Sequence, residues 1–338
     1  MPPANPTDVP ADQLRAVIDQ VRCYPGVLRK KPIQDVYDIL SQTHCYGSPL
    51  PNFGDDAAAV PWHDGFLLLA ADGMMTRLLV KEPYAAGKAA VMVTVNDIYA
   101  MGGRPIGLVN VLASGNAQQR AQIVAGIAKG CQKLQVPMLG GHTHPEAPED
   151  QPALSVAVLG HARKLLRSHL AASGDDLLLA VDLDGQPGCR SVISWDANSG
   201  KQPAQLRERL EVMVTVAERQ WAVAAKDVSN AGILGTAAIM AENSGRGALI
   251  DLEAIPRPHG LGILQWVLCF QSYGFILSIP PHHTPDVVAL FEERNITARV
   301  IGRIVEEPVV ELCLSGHQKT LFDFRKEAIT GIRYSPQS

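Results

Sequence analysis

Four short segments of this chain carry aspartate with glycine or asparagine alongside. They are Gly54-Asp55-Asp56-Ala57-Ala58, Ala71-Asp72-Gly73, Asn96-Asp97-Ile98-Tyr99 and Asp227-Val228-Ser229-Asn230-Ala231-Gly232. A fifth segment, Leu139-Gly140-Gly141-His142-Thr143, lies between the third and the fourth. Carboxylates at junctions of loops and helices, with glycines that let backbone come close, suit a magnesium–polyphosphate site. Magnesium takes oxygen ligands and shares them between protein carboxylates and substrate phosphates. The chemistry this pattern points to is phosphate transfer from ATP.

Each segment also has a plainer reading. Gly54-Asp55-Asp56 alone is a turn, and Asp72-Gly73 is a common hairpin signal. Asn96-Asp97 falls within a helical pattern that neither residue favours, so it is either a solvated helix face or a site. Gly140-Gly141 after the apolar Val136–Leu139 would bring backbone N–H groups to phosphate oxygens, or form a loop. Asp227 is a candidate ligand, while Ser229 or Asn230 would cap the helix that follows. His142, His144 and Glu146 raise a zinc reading, but no HExxH motif or cysteine partner supports it. Neither a GxxxxGK[ST] phosphate loop nor a GxSxG elbow occurs.

The elements that must position these residues alternate along the chain. Helices are expected at Asp12–Arg22 and Pro32–Thr43, and a buried strand at Phe66–Ala71 ending at Asp72-Gly73. Ala85–Met101 reads as a long helix stopped by Gly102-Gly103 and Pro105. Asp97 then sits near a helix C-terminus, where the dipole disfavours a carboxylate by ~0.3–1 kcal/mol and a compensating cation is implied. Ile106–Ala113 reads as a strand, Ala117–Leu134 as a helix and Leu154–His161 as a strand. After a boundary near 163–175, Leu177–Val181 is a strand, Gln205–Ala225 and Ala231–Glu242 are helices, and Ala248–Leu252 is a strand. Leu261–Phe270 and Thr284–Arg294 read as helices, Phe275–Ile279 and Ala298–Val305 as strands. This is a two-domain α/β (α+β) enzyme pattern: an extension over 1–50, then units at 51–165 and 170–335.

Length and charge agree. At 338 residues with net charge −4, the chain has room for two cores and lacks the basic face of a nucleic-acid binder. The six cysteines are dispersed without a CxxC pair and read as reduced, mostly buried thiols. The proline-rich start, Met1–Pro10, has no apolar signal-peptide core, and no apolar run is long enough to span a bilayer, so a cytoplasmic protein is expected.

Taken in order, the motifs resemble the aminoimidazole ribonucleotide synthetase superfamily, which includes thiamine-monophosphate kinase and selenophosphate synthetase. Gly54-Asp55-Asp56-Ala57-Ala58 resembles the kinase's first metal motif, and Val95-Asn96-Asp97-Ile98 through Gly102 the helix shared by synthetase and kinase. Lys226-Asp227-Val228-Ser229 through Gly235, with Ser244-Gly245 and Ile255-Pro256, is closer to selenophosphate synthetase. The resemblance implies an N-terminal domain that forms a β-barrel with its twin in a homodimer, a C-terminal α/β domain, and ATP in the cleft between them.

It also implies metal roles for Asp56, Asp72, Asp97 and Asp227, with Asp55 as a further candidate, and catalytic roles for Asp72, Asp97 and Asp227. Gly54, Asn96, Gly140, Gly141, Thr143, Ser229 and Asn230 fall on the nucleotide side. His142 stands where the family carries an acid that binds metal, and Asn230 where the kinase has a second aspartate. Leu79 aligns with a substrate histidine of the kinase, and Gln271-Ser272-Tyr273 replaces its Gly-Glu-Asp. The N-terminal cysteine and lysine of selenophosphate synthetase find no matching pair, although Cys23, Lys30 and Lys31 lie in the corresponding half.

Electrostatics make the cation necessary. Like charges ~4 Å apart at an effective dielectric near 20 repel by about 4 kcal/mol per pair, so ATP beside four aspartates needs magnesium ions between them. A neutral imidazole at 142 suits manganese or zinc better than magnesium. The expected activity is ATP- and Mg-dependent phosphoryl transfer to a small metabolite, as a kinase or an ATP-activating synthetase. The rival is a degenerate, ATP-binding regulatory or scaffold subunit.

Overall fold

Apolar runs punctuated by glycine and proline set most element boundaries. The computed structural model describes residues 9–46, 50 and 54–334; the proline-rich start before Val9 lies outside them. The chain opens with helix α1 (Val9–Cys23), the single turn α2 (Pro25–Leu28) and α3 (Ile33–Leu40), which runs into a 3-10 turn at Ser41–Tyr46. Next come β1 (Ala58–Trp62), β2 (Gly65–Gly73), α4 (Thr76–Lys81), α5 (Pro83–Ala100), β3 (Arg104–Ala113), α6 (Ala117–Leu134), β4 (Met138–His144) and β5 (Ala153–Ala162). A second group follows: β6 (Asp176–Val181), β7 (Gln186–Pro187), β8 (Ser194–Asp196), α7 (Pro203–Glu218), β9 (Ala224–Asp227), α8 (Gly232–Asn243) and β10 (Gly247–Asp251). The chain continues through α9 (Ile263–Val267), β11 (Phe270–Gln271), β12 (Gly274–Ile279), α10 (Thr284–Glu292), β13 (Thr297–Val305), β14 (Val309–Leu314) and β15 (His317–Asp323).

Two mixed sheets organise these elements. The first has strand order β1-β2-β5-β3-β4 and the second β15-β14-β10-β13-β6-β12-β9, with a small sheet of β11-β8-β7 beside them. Helix α5 packs on β2, β3 and β5 on one side and meets α7 and β9 on the other. That explains its weak amphipathicity: a helix covered on both sides is apolar all round. Gly102, at φ +78°, ends it, and a Cβ there would lie 2.3 Å from that of Ala217. The five-stranded sheet is open, since β1 pairs with β2 and β4 with β3, and no closed barrel occurs among the described residues.

Several expectations need correction. The helix expected over Gln205–Ala225 stops at Glu218, and Ala224–Asp227 is instead the edge strand β9. Gln220, at φ +56°, breaks the helix, and pairing with β12 overrides the helical preference of alanine. The helix at Leu261–Phe270 shortens to Ile263–Val267, because Phe270 and Gln271 pair with β8. Gly140 and Gly141 are not a loop after a strand; both lie within β4, opposite Val109 and Asn110 of β3.

Candidate active site

The four expected aspartates come together where the two sheets meet. Asp56 lies on the segment entering β1, Asp72 is the next-to-last residue of β2, Asp97 stands in the last turn of α5, and Asp227 ends β9. One carboxylate oxygen each from Asp56, Asp97 and Asp227 lies within 4.8 Å of the others. Asp72 lines the same cleft, about 940 Å³ in volume, with Lys30, Lys226, Ser229 and Asn230.

Burial dominates the electrostatics. It pushes Asp97 well above the usual carboxylate range, with repulsion from Asp227, Asp72 and Asp56 adding to the shift. Asp227 is pushed up to about 8, first by burial and then by Asp56. Burial raises Asp72 as well, against the attraction of Lys30, and it raises Asp56 against the attraction of Lys226. All four acids resist ionisation because the site concentrates negative charge away from water. A cation among them would remove that resistance, and an oxygen-only donor set is the kind magnesium takes.

Sequence reasoning passed over two lysines. Lys226 forms an ion pair with Asp56 and donates to the carbonyl of Gly54 at 3.0 Å, while the backbone N–H of Asp227 donates to Asp56 Oδ2 at 3.2 Å. Burial would lower Lys226, but Asp56, by charge and hydrogen bond, holds it above its ordinary value. Lys30, on the turn after α2, is lowered by burial and by Lys226, while Asp227 and Asp72 attract it. The only sequence signal for Lys226 is its place before Asp227; Lys30 had none beyond its half of the chain.

The remaining expected residues divide. Ser229 and Asn230 line the cleft, and neither caps α8, whose N-cap is Ala231 without a side-chain bond. Gly54 lines it too; at φ +82° it sits against Asn243, whose Nδ2 donates to its carbonyl at 3.2 Å, so the position needs glycine for close packing. Asn96 is a tie between elements: its Nδ2 donates to the carbonyl of Ser272 at 3.1 Å, and it is 1% exposed.

Asp55, expected as a metal ligand, turns to another job. Its carboxylate accepts from Arg167 Nε at 2.5 Å, from Ser168 N at 2.7 Å and from Ser168 Oγ at 3.1 Å. Burial would raise Asp55, but the His169 hydrogen bond and the Arg167 charge outweigh it and hold the acid below its ordinary value. Gly140, Gly141, His142 and Thr143 are exposed on the edge strand β4 and do not reach the aspartates of their own chain. The His142 ring instead stacks edge-on with His144, 4.4 Å between centroids, and His144 Nδ1 lies 3.2 Å from Glu146. Among the described residues the aspartate trio is the one cluster with metal-ligand spacing, so the zinc reading finds no centre. Buried Thr236 Oγ1 and Asn243 Oδ1 also have no protein partner, and both residues line the cleft. A ligand with polar groups would satisfy them.

Two sheets joined through one buried helix, over an acidic cleft with two lysines, define a class of two-domain α/β proteins. Residues 54–162 match the N-terminal domain of AIR synthase related proteins and residues 170–314 the C-terminal domain, so the chain belongs to the AIR synthase-related family. It is 38% identical over 306 residues to the uncharacterized protein sll0787 of Synechocystis, covering 90% of this chain and 94% of that one. It is 33% identical over 324 residues to the uncharacterized protein MJ0640 of Methanocaldococcus jannaschii, covering 94% and 99%. Among solved structures, T. maritima PurL complexed with ADP shares the fold at TM-score 0.70 and 17% identity, over 88% of this chain and 50% of that one. AaThiL complexed with AMPPCP and TMP does so at TM-score 0.63 and 19% identity, over 85% and 96%. No described helix is long and apolar enough to cross a membrane.

Proposed function

We propose that this protein is an ATP- and Mg-dependent phosphoryl-transfer enzyme, a kinase or an ATP-activating synthetase, acting on a small metabolite. The observation that carries this reading is the convergence of Asp56, Asp97 and Asp227, with oxygens within 4.8 Å of one another, in a cleft large enough for a nucleotide. Asp56, Asp72, Asp97 and Asp227 would hold magnesium. Bound there, magnesium would neutralise phosphate charge and orient the triphosphate. Lys226 fixes Asp56, and Lys30, which lines the same cleft near Asp72 and Asp227, would meet charge on the transferring phosphoryl group. The all-oxygen donor set suits magnesium and manganese alike, and zinc less well, because His142 stands outside its own chain's cluster. Support for nucleotide use comes from PurL and AaThiL, solved with ADP and with AMPPCP.

The same reading makes the protein a homodimer. Leu69, Val109, Val111 and Leu139 of β2, β3 and β4 are exposed by 47–67% on the five-stranded sheet, an apolar surface that a second copy would cover. The test is calorimetric titration of ATP with magnesium and with EDTA, together with ADP release in the presence of candidate acceptors. Equal ATP affinity in both titrations would sink the proposal.

A further inference from the structure

A second hollow of about 420 Å³ opens beside the aspartate cleft, and Arg29, Met75, Cys189, Trp195 and Asn230 line both. Its lining includes Arg29, Arg77 and Arg190 and no acidic residue, in a chain whose net charge is −4. Among the described residues none of the three arginines has an ion pair. The rest of the wall is largely apolar or aromatic, with Tyr24, Met75 and Ile193.

The chamber is held in shape before any ligand arrives. Glu82, between α4 and α5, accepts from the backbone N–H of Arg190 at 3.1 Å and of Ser191 at 2.9 Å. Arg77, on α4, donates to the carbonyl of Ser191. The segment carrying Arg190 is therefore pinned to the element carrying Arg77. Glu82, the acid at this edge, spends its carboxylate on Ser191 and the Arg190 backbone, and guanidinium groups recognise phosphate or carboxylate through paired hydrogen bonds.

We propose that this chamber binds the second substrate through an anionic group, a phosphate monoester or a carboxylate, with its carbon skeleton against Tyr24, Met75 and Ile193. The inference rests on the reading that nucleotide and magnesium occupy the neighbouring aspartate cleft. There the triphosphate's charge is met by metal and lysine, which leaves the arginines to a different anion.

The test titrates the full chain, loaded with magnesium and a nonhydrolysable ATP analogue, with ribose 5-phosphate, succinate and neutral ribose. Saturable binding of one or both anions and none of ribose is expected, and the two anions separate phosphate from carboxylate recognition. Arg190→Gln should weaken anion binding at least about tenfold while leaving analogue affinity and melting temperature unchanged, and Arg77→Gln, which also releases the Ser191 carbonyl, should weaken it at least as far with analogue affinity unchanged. The proposal is overturned if neither anion binds at millimolar concentration, if the anion displaces the analogue, or if the variants lose the analogue instead. Failure of the analogue itself to bind with magnesium would count against the proposed function, whereas bound analogue with no anion binding counts against the chamber alone.

Discussion

Asp227 shows how a single residue can report on cation binding. Its folded-state value of about 8 lies above its ordinary 3.8, so folding favours the protonated acid. The stabilisation from that proton is complete at low pH and is lost as pH rises through about 8. In EDTA the melting temperature should therefore fall from about pH 4 to about pH 8 and level off above that, and magnesium should flatten the slope. A slope indifferent to magnesium in melts followed by circular dichroism would contradict a metal at this residue. Asp227→Asn removes the repulsion and should stabilise the metal-free protein by on the order of 1 kcal/mol while abolishing magnesium-dependent ADP release. Asp55→Asn should behave oppositely. It leaves Arg167, whose side chain is 11% exposed, without its carboxylate, so a loss of about 3 kcal/mol in urea unfolding is expected with magnesium affinity intact. The aspartates were legible because glycine and asparagine beside an acid are poor company for a helix or strand core. The resemblance placed Asp56 ahead of Asp55 but gave Asp55 no other task, since neighbouring side chains point different ways only once a backbone exists. Lysine carries no such flag: Lys30 matters through burial against distant acids, which spacing does not encode.

At the scale of elements, legibility followed how locally each boundary is set. The ends of α6 were readable to the residue because Asn116 caps its start, accepting from Gln119 N at 2.9 Å, and Gln135 turns left-handed at its end. Helix α5 was readable for similar reasons, with Pro83 at its first turn and Gly102 beyond its end. By contrast β9 was hidden in an alanine-rich run, because only the partner strand β12 makes it a strand. The hairpin β14–β15 was missed although its Ser315-Gly316 turn, with φ of +48° and +80°, is a local signal of the kind that marks hairpins. Helix α5 carries both Asn96 and Asp97, so its terminus should couple stability to the site. Gly102→Ala forces a side chain into a left-handed position against Ala217 and should cost about 2–4 kcal/mol in urea unfolding. It should also weaken magnesium-dependent nucleotide binding, read by calorimetry at a temperature where the variant is folded. Unchanged stability would show that the helix end tolerates what the geometry forbids.

For the whole molecule, the sequence announced two α/β units but said nothing about which faces remain uncovered. In the first sheet α5, backed by α6, occupies one side, and the alternation along β3 sends Leu108 and Leu112 inward while Val109 and Val111 face outward, exposed by 47% and 49%. Outward valines on a central strand are costly to leave wet, since covering apolar surface is worth roughly 25 cal/mol per Å². A stable pairing of two copies needs on the order of 1,600 Å² in total, which a five-stranded face with its edge strand could supply. The two-copy arrangement also bears on the segment that stayed away from the aspartates. Gly140, Gly141, His142 and Thr143 belong to the exposed edge strand β4, so a second copy docking on this face would lie near them. Val109→Asp combined with Val111→Asp places charge on the face without touching the inward Leu108 and Leu112. In sedimentation velocity the wild-type chain should run as a dimer and the double variant as a monomer with an unchanged circular-dichroism spectrum. A wild-type chain that stays monomeric at micromolar concentration would refute the pairing and leave the exposed valines without a partner of their own kind.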